Sequence, residues 1–168
     1  DAFRSYANIK HINLTYESSF RYLNVWLDKD KMDSILKNII SNALKYTPDG
    51  GNVHVFTSET EDTWSIEVKD TGIGIPASEQ KKLFKMHFRG SNAINSKVTG
   101  SGIGLLLVGK LVHLHKGKLN FSSMEGKGSC IKITFPKGNK HFRKAIQRPQ
   151  PQNERIVYSA SGVPIKIG

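Results

Sequence analysis

The sequence predicts a two-layer α/β (α+β) fold: one mixed, mostly antiparallel sheet with helices covering one face. Three observations predict it. Segments of alternating polarity come in pairs instead of alternating one-for-one with helices, which favours antiparallel pairing over repeated βαβ units. Two stretches, near 35–48 and 102–115, carry the apolar pattern of helices that bury a side. The chain has 168 residues, 38% of them hydrophobic, which is enough for one domain with its own core.

The elements follow in order. Ile12, Leu14 and Tyr16 alternate with polar residues, as do Leu23, Val25 and Leu27, so two strands are predicted there. Asp28 or Asp30 can cap the helix that follows, and Pro48 ends it. That helix has Ile35, Leu36, Ile39, Ile40, Ala43 and Leu44 on one face. "PDGG" is a turn, and 53–57 with 64–69 form a hairpin around "SETEDT". "KDTGIGIP" is a glycine-rich loop, and 78–88 reads as a short helix. "RGSNAINSKVTGSG" is polar and built of small residues, hence mobile. A second apolar helix spans 102–115, and 118–123 with 129–135 close a final hairpin through "MEGKG". After Pro136 the periodicity stops. "RPQPQNER" has linker composition, so 1–136 is read as the domain and 137–168 as a basic Pro/Gln-containing tail.

Composition excludes several classes. A lone cysteine, Cys130, permits no internal disulfide and no cysteine metal cluster; its place in an alternating run marks it as a small core residue. No apolar run is long enough to cross a bilayer, and no signal-peptide pattern opens the chain. The first residue is Asp1, which suggests a fragment of a longer protein. The net charge of +11 is unevenly placed: 137–168 holds seven Lys/Arg and one acid, against 18 basic and 13 acidic residues elsewhere. The excess therefore points to the tail and to a polyphosphate site, and nucleic acid is not expected as a partner.

Three features carry chemistry. Asn38, Asn42 and Lys45 stack on the outer face of the first long helix, where Glu and Lys would be the usual helix formers. "DTGIGIP" (70–76) and "TGSGIGL" (99–105) are glycine-rich, and the second runs straight into a helix, whose N-terminus can receive phosphate. A dinucleotide fingerprint fails, because the third glycine would fall at Leu107. A P-loop fails too, because Leu111 stands where a metal-binding hydroxyl belongs. Each feature alone is an ordinary turn or solvated face; their order along one domain-sized chain is not.

That order resembles the ATP-binding catalytic domain of two-component sensor histidine kinases, in the superfamily that includes gyrase, Hsp90 and MutL. "NIISNALKYTP" looks like the N box, "DTGIGIP", "GSGIGL" and "GKGS" like three glycine boxes, and "KLFKMHF" like the F box. The resemblance runs from about Ile12 to Pro136. It implies a Bergerat-type fold with a flexible ATP lid.

The resemblance also implies roles. Asn42 would ligate the Mg²⁺ that bridges the ATP phosphates, with Asn38 helping to hold that site, Lys45 neutralising phosphate and Tyr46 contacting the nucleotide. Asp70 would accept from the adenine amino group, and Ser129, where the family usually has Thr, could join it through water. Gly72, Gly74 and Ile75 would shape the adenine pocket. Gly100, Ser101, Gly102, Ile103, Gly104 and Leu105 would take phosphate, and Phe84 keeps the F-box phenylalanine. Arg89 aligns with an arginine that can reach the γ-phosphate. Hydrolytic relatives carry Glu at position 38 as a base; Asn38 cannot take a proton, which favours transfer over hydrolysis.

Two departures stand out: Met86 where the F box has Arg, and His87 where it has a second Phe. They sustain an alternative reading as a non-catalytic ATP-sensing module. None of the six histidines is followed by an acid, as the family's phospho-acceptor is. The resemblance thus implies a protein-histidine kinase module whose acceptor lies on a separate dimerisation domain of a homodimeric parent. A response-regulator receiver domain is the expected next partner, and a tail leading to one in the same chain would make the parent a hybrid kinase. The family usually sits in a membrane-anchored sensor, with this domain on the cytoplasmic side.

Overall fold

The structure, a computed structural model, describes residues 2–84, 90–91, 102–138, 155–158 and 164–167. Five strands form one sheet: β1 (Asn13–Ser18), β2 (Asn52–Glu59), β3 (Thr63–Asp70), β4 (Lys118–Met124) and β5 (Gly128–Pro136). Their spatial order is β1-β2-β3-β5-β4. β1 runs parallel to β2, and the other pairs are antiparallel. A parallel pair needs a crossover, and helix α2 (Lys29–Tyr46) supplies it. The remaining helices are α1 (Ala2–Ile9), α3 (Ala77–Gln80) and α4 (Gly104–Leu114). β6 (Arg155–Tyr158) and β7 (Pro164–Ile167) pair as a separate two-stranded antiparallel sheet.

Strand parity sets the core. Val53, Val55 and Thr57 of β2 lie opposite Asp70, Val68 and Ile66 of β3, and Val68, Ile66 and Trp64 lie opposite Ile131, Ile133 and Phe135 of β5. Except for Asp70, these are buried. They meet Met32, Ile35, Ile39 and Ala43, the i, i+3, i+4 stripe of α2, and Val108 and Val112 of α4. Ile35 and Ile39 are fully buried, each worth about 1.5–3 kcal/mol of apolar transfer.

The ends of α2 are fixed by side chains. Asp28 is its N-cap and accepts from the Lys31 main-chain N–H at 3.1 Å; the Lys31 ammonium bonds its second oxygen. Burial pushes the Asp28 carboxyl up, but the bonds from Lys31 outweigh it and hold the group below its ordinary value. At the other end Thr47 donates its hydroxyl to Ala43 O at 2.7 Å. The Lys10 ammonium sits on the last carbonyls, bonding Leu44 O at 3.1 Å, Lys45 O at 3.3 Å and also Thr47 O. A cation there completes acceptors that the helix leaves open and opposes the negative end of its dipole. His115, just past α4, is buried; its Nδ1 lies 2.9 Å from Leu111 O, while its Nε2 accepts from the Asp28 N–H at 3.4 Å.

Three expectations change, and one helix is added. Residues 23–27 form no strand: Leu23 is buried and Val25 and Leu27 half-buried, so the alternation is real, but the segment packs on the core with no ladder partner. Cys130 is not a core residue. Ile131, Ile133 and Phe135 hold the inward parity of β5, so Cys130 lies half-buried on the opposite face, across from Lys69 and Ser122. The helix expected over 78–88 is shorter: α3 ends at Gln80 and passes into a turn over 81–84, with 85–89 outside the described residues. Helix α1 went unpredicted; it docks through Ala7 and the half-buried Phe3.

Candidate functional site

A cavity opens between α2, α4 and one end of the sheet. Asn38, Asn42, Lys45 and Tyr46 line it from α2, and Gly104 and Leu105 from the first turn of α4. Asn38 donates its amide to Ser34 O at 2.7 Å, which fixes the ring-like turn of its side chain and aims the oxygen at α4. A Cβ on Gly104 would stand 2.5 Å from that oxygen, so only glycine lets the helix start this close. Among the described residues no side chain caps α4, and Ile103 stands as its N-cap. The first-turn N–H groups of an uncapped helix suit an anion. The Lys45 ammonium lies 5.5 Å from the centroid of the Tyr46 ring.

The Asn42 side chain makes no hydrogen bond with another described residue and faces the same space. Its carboxamide oxygen is a hard donor of the kind Mg²⁺ accepts alongside phosphate oxygens and water, so the residues present fit that ion.

The other end of the cavity is built around Asp70, the last residue of β3, paired across the ladder with Ser129 of β5. Its Oδ1 accepts from the Gly72 N–H at 2.8 Å and the Ser129 N–H at 3.2 Å. Burial pushes the carboxyl above its ordinary value, although these two bonds pull it down. Gly72 is needed for the same close approach: a Cβ there would meet Asp70 Oδ1 and Tyr46 O, each at 2.7 Å. Gly74 adopts φ +63°, and a Cβ there would fall 2.0 Å from Met124 O.

The loop after Asp70 is tied down on both sides. Ile73 donates to Tyr46 O at 3.1 Å, and its own carbonyl accepts from Gly126 at 2.8 Å. Ile75 donates to Ser123 Oγ at 2.8 Å, while Gln80 gives its two amide protons to Ile75 O and Ser123 O, both at 2.9 Å. Ser123 also lies 2.9 Å from Ser129 Oγ and 3.0 Å from Gly128 O.

The structure therefore brings Asn38, Asn42, Lys45, Tyr46, Asp70, Gly74, Ile75, Gly102, Gly104, Leu105 and Ser129 around one space. Gly72 lies just behind the wall, holding Asp70. Phe84 does not line the cavity; it meets Phe121 edge-to-face at 5.5 Å, and Phe121 does line it. Ile103 is half exposed at the start of α4. Arg89, Gly100 and Ser101, with Met86, His87 and most of the expected lid, lie outside the described residues. Sequence reasoning missed the apolar wall of Val68, Ile73, Leu83, Phe121 and Ile131. Strand parity carries its signal, since Val68 and Ile131 lie next to Asp70 and Ser129 on the same face.

Comparison with known proteins gives a consistent result. A family described as histidine kinase-, DNA gyrase B- and HSP90-like ATPase matches residues 27–139. The sensor histidine kinase WalK of Bacillus subtilis is 40% identical over 129 residues, 76% of this chain and 21% of that protein. The circadian input-output histidine kinase CikA of Thermosynechococcus vestitus is 36% identical over 135 residues, 80% of this chain and 18% of the relative. The chain thus spans about a fifth of the length of these curated relatives. Among solved structures, the catalytic domain of histidine kinase ThkA superposes with a TM-score of 0.72 at 23% identity, covering 83% of this chain and 88% of that one. Its fold is the fold found here.

Proposed function

We propose, from the premise that this chain belongs to the histidine kinase-, DNA gyrase B- and HSP90-like ATPase family, that it is the ATP-binding catalytic module of a sensor histidine kinase. It binds Mg-ATP and hands the γ-phosphoryl group to a histidine on a separate dimerisation domain. The observation that carries the reading is the polarity of the cavity. One end has a helix start that no described side chain caps, facing two asparagines and a lysine; the other has a carboxylate with one oxygen already engaged.

That polarity fits an adenine triphosphate lying lengthwise. Asp70 takes the exocyclic amine, and Val68, Ile131 and Phe121 give the base an apolar bed. Tyr46 and Lys45 flank the phosphates, and the first amides of α4 with Gly102 receive their oxygens. Asn42, supported by Asn38, would hold Mg²⁺, which when bound neutralises phosphate charge. Asn38 offers no base for water, which suits transfer to another nucleophile. The γ-phosphorus then bonds the imidazole nitrogen as its bond to the β-phosphate oxygen breaks and ADP leaves. Arg89 is the residue proposed to stabilise charge on that phosphoryl group. The receiver domain of a response regulator is the expected next acceptor, and 1–136 is the proposed extent of the module.

Met86 and His87 favour a second reading, a module that senses ATP without transferring phosphate. Calorimetric titration with a non-hydrolysable ATP analogue, with and without Mg²⁺, tests the site. Wild type should bind, and Asp70→Asn should weaken binding about tenfold or more, the scale of a lost bond to a charged acceptor. Unchanged affinity in Asp70→Asn would remove Asp70 from the site. Phosphorylation of a supplied acceptor domain then separates kinase from sensor.

A further inference from the structure

Ser123 lines no part of the cavity, yet it fixes what the cavity's base end can recognise. Three groups lie within bonding distance of its hydroxyl: the Ile75 N–H at 2.8 Å, the Gly128 carbonyl at 3.0 Å and Ser129 Oγ at 2.9 Å. A hydroxyl has one proton and two lone pairs. The N–H can only donate, and the carbonyl can only accept. Ser123 must therefore give its proton to Gly128 O and accept from Ile75. For the short contact to Ser129 to be a bond, Ser129 must be the donor.

The proton order has a consequence one residue further on. With its only proton turned back to Ser123, Ser129 offers lone pairs alone to the cavity that it lines. Beside it stands the Asp70 carboxylate, with Oδ1 engaged by two N–H groups and Oδ2 remaining. The main-chain N–H groups of Gly72, Ile73 and Ile75 are each engaged already, by Asp70 Oδ1, Tyr46 O and Ser123 Oγ.

We propose that Ser123 is a specificity-positioning residue: by accepting the Ser129 proton it leaves two side-chain acceptors facing the base. That arrangement selects a purine with an exocyclic amine and rejects a 6-oxo purine, whose carbonyl would meet only acceptors. The inference rests on the nucleotide reading above and assigns a source for its base selectivity.

The test compares binding of a non-hydrolysable ATP analogue and its inosine counterpart to wild type, Ser123→Ala and Ser123→Thr. Wild type should prefer the adenine form. In Ser123→Ala the Ser129 proton is released and can turn toward a 6-oxo group, so the ratio of the two dissociation constants should fall by about three- to tenfold. Ser123→Thr keeps the hydroxyl and should restore the ratio. A role confined to holding the loop would weaken both ligands equally and leave the ratio unmoved, which overturns the proposal. Ile75 keeps its Gln80 bond in every variant. Should the alanine variant fail to fold, Ser123→Cys, whose thiol accepts weakly, gives the same readout. Wild-type binding of neither analogue would overturn the nucleotide reading and this inference with it; wild-type binding with an unmoved ratio overturns this inference alone.

Discussion

At Asp70, burial holds the carboxyl above the ordinary value of 3.8, against the pull of two main-chain N–H groups. Two pH effects of opposite sign follow. The folded state binds this proton more tightly than the unfolded chain does, so Asp70's contribution to stability is larger at low pH and declines as pH rises through the raised value. Recognition of an amine needs the carboxylate, so nucleotide affinity should fall on acidification, starting above the pH at which an ordinary aspartate protonates. Titrations from about pH 7.5 down to about 4 should show that fall in wild type and a flatter profile in Asp70→Asn. Asn38, Asn42 and the glycine loop after Asp70 stood out in the sequence because their spacing is unusual for a solvated surface, and the resemblance they carry singled out Asp70. Ser123 and Gln80 were not, because their meaning depends on which strand residue lies across from which. No linear pattern states that Ser123 faces Ser129, or that Gln80 reaches two carbonyls 48 positions apart in the chain.

Among the elements, α2 joins the site to the rest of the fold. Its last turn carries Lys45 and Tyr46, and the Tyr46 carbonyl anchors the glycine loop through Ile73. Lys10, from the segment between α1 and β1, holds the carbonyls of that turn. Lys10→Met should cost about 1–2 kcal/mol in denaturant unfolding, with Lys10→Arg recovering part of it. Because the turn borders the cavity, nucleotide affinity should fall in the same order. Helices α2 and α4 and both hairpins were legible from periodicity. The strand expected at 23–27 was not one, because alternation reports which side of an extended segment is buried and says nothing about a hydrogen-bonded neighbour. Helix α1 escaped notice because Phe3 and Ala7 are its only strong inward anchors in eight residues.

For the molecule as a whole, a ligand that binds only the folded chain adds stability by mass action. At about 100 times its dissociation constant an ATP analogue should add about 2.7 kcal/mol, or about 6–10 °C in Tm for a domain of this size. Deleting residues 139–168 should leave that shift intact if the module ends near Pro136, whereas Asp70→Asn at the same concentration should lose most of it. Charge and composition limited the class of protein, but the cavity belongs to the tertiary level, since its lining runs from Asn38 to Ile131. The strand order has a further consequence for how the chain is made. β5 is the last strand of the sheet to leave the ribosome, yet it lies inside the sheet, between β3 and β4. Until it arrives, β3 presents Trp64, Ile66 and Val68 along an unpaired edge, open to pairing with a neighbouring nascent chain. A message truncated before the codon for Gly128 would therefore yield a sticky product, one for chaperones and proteases to clear.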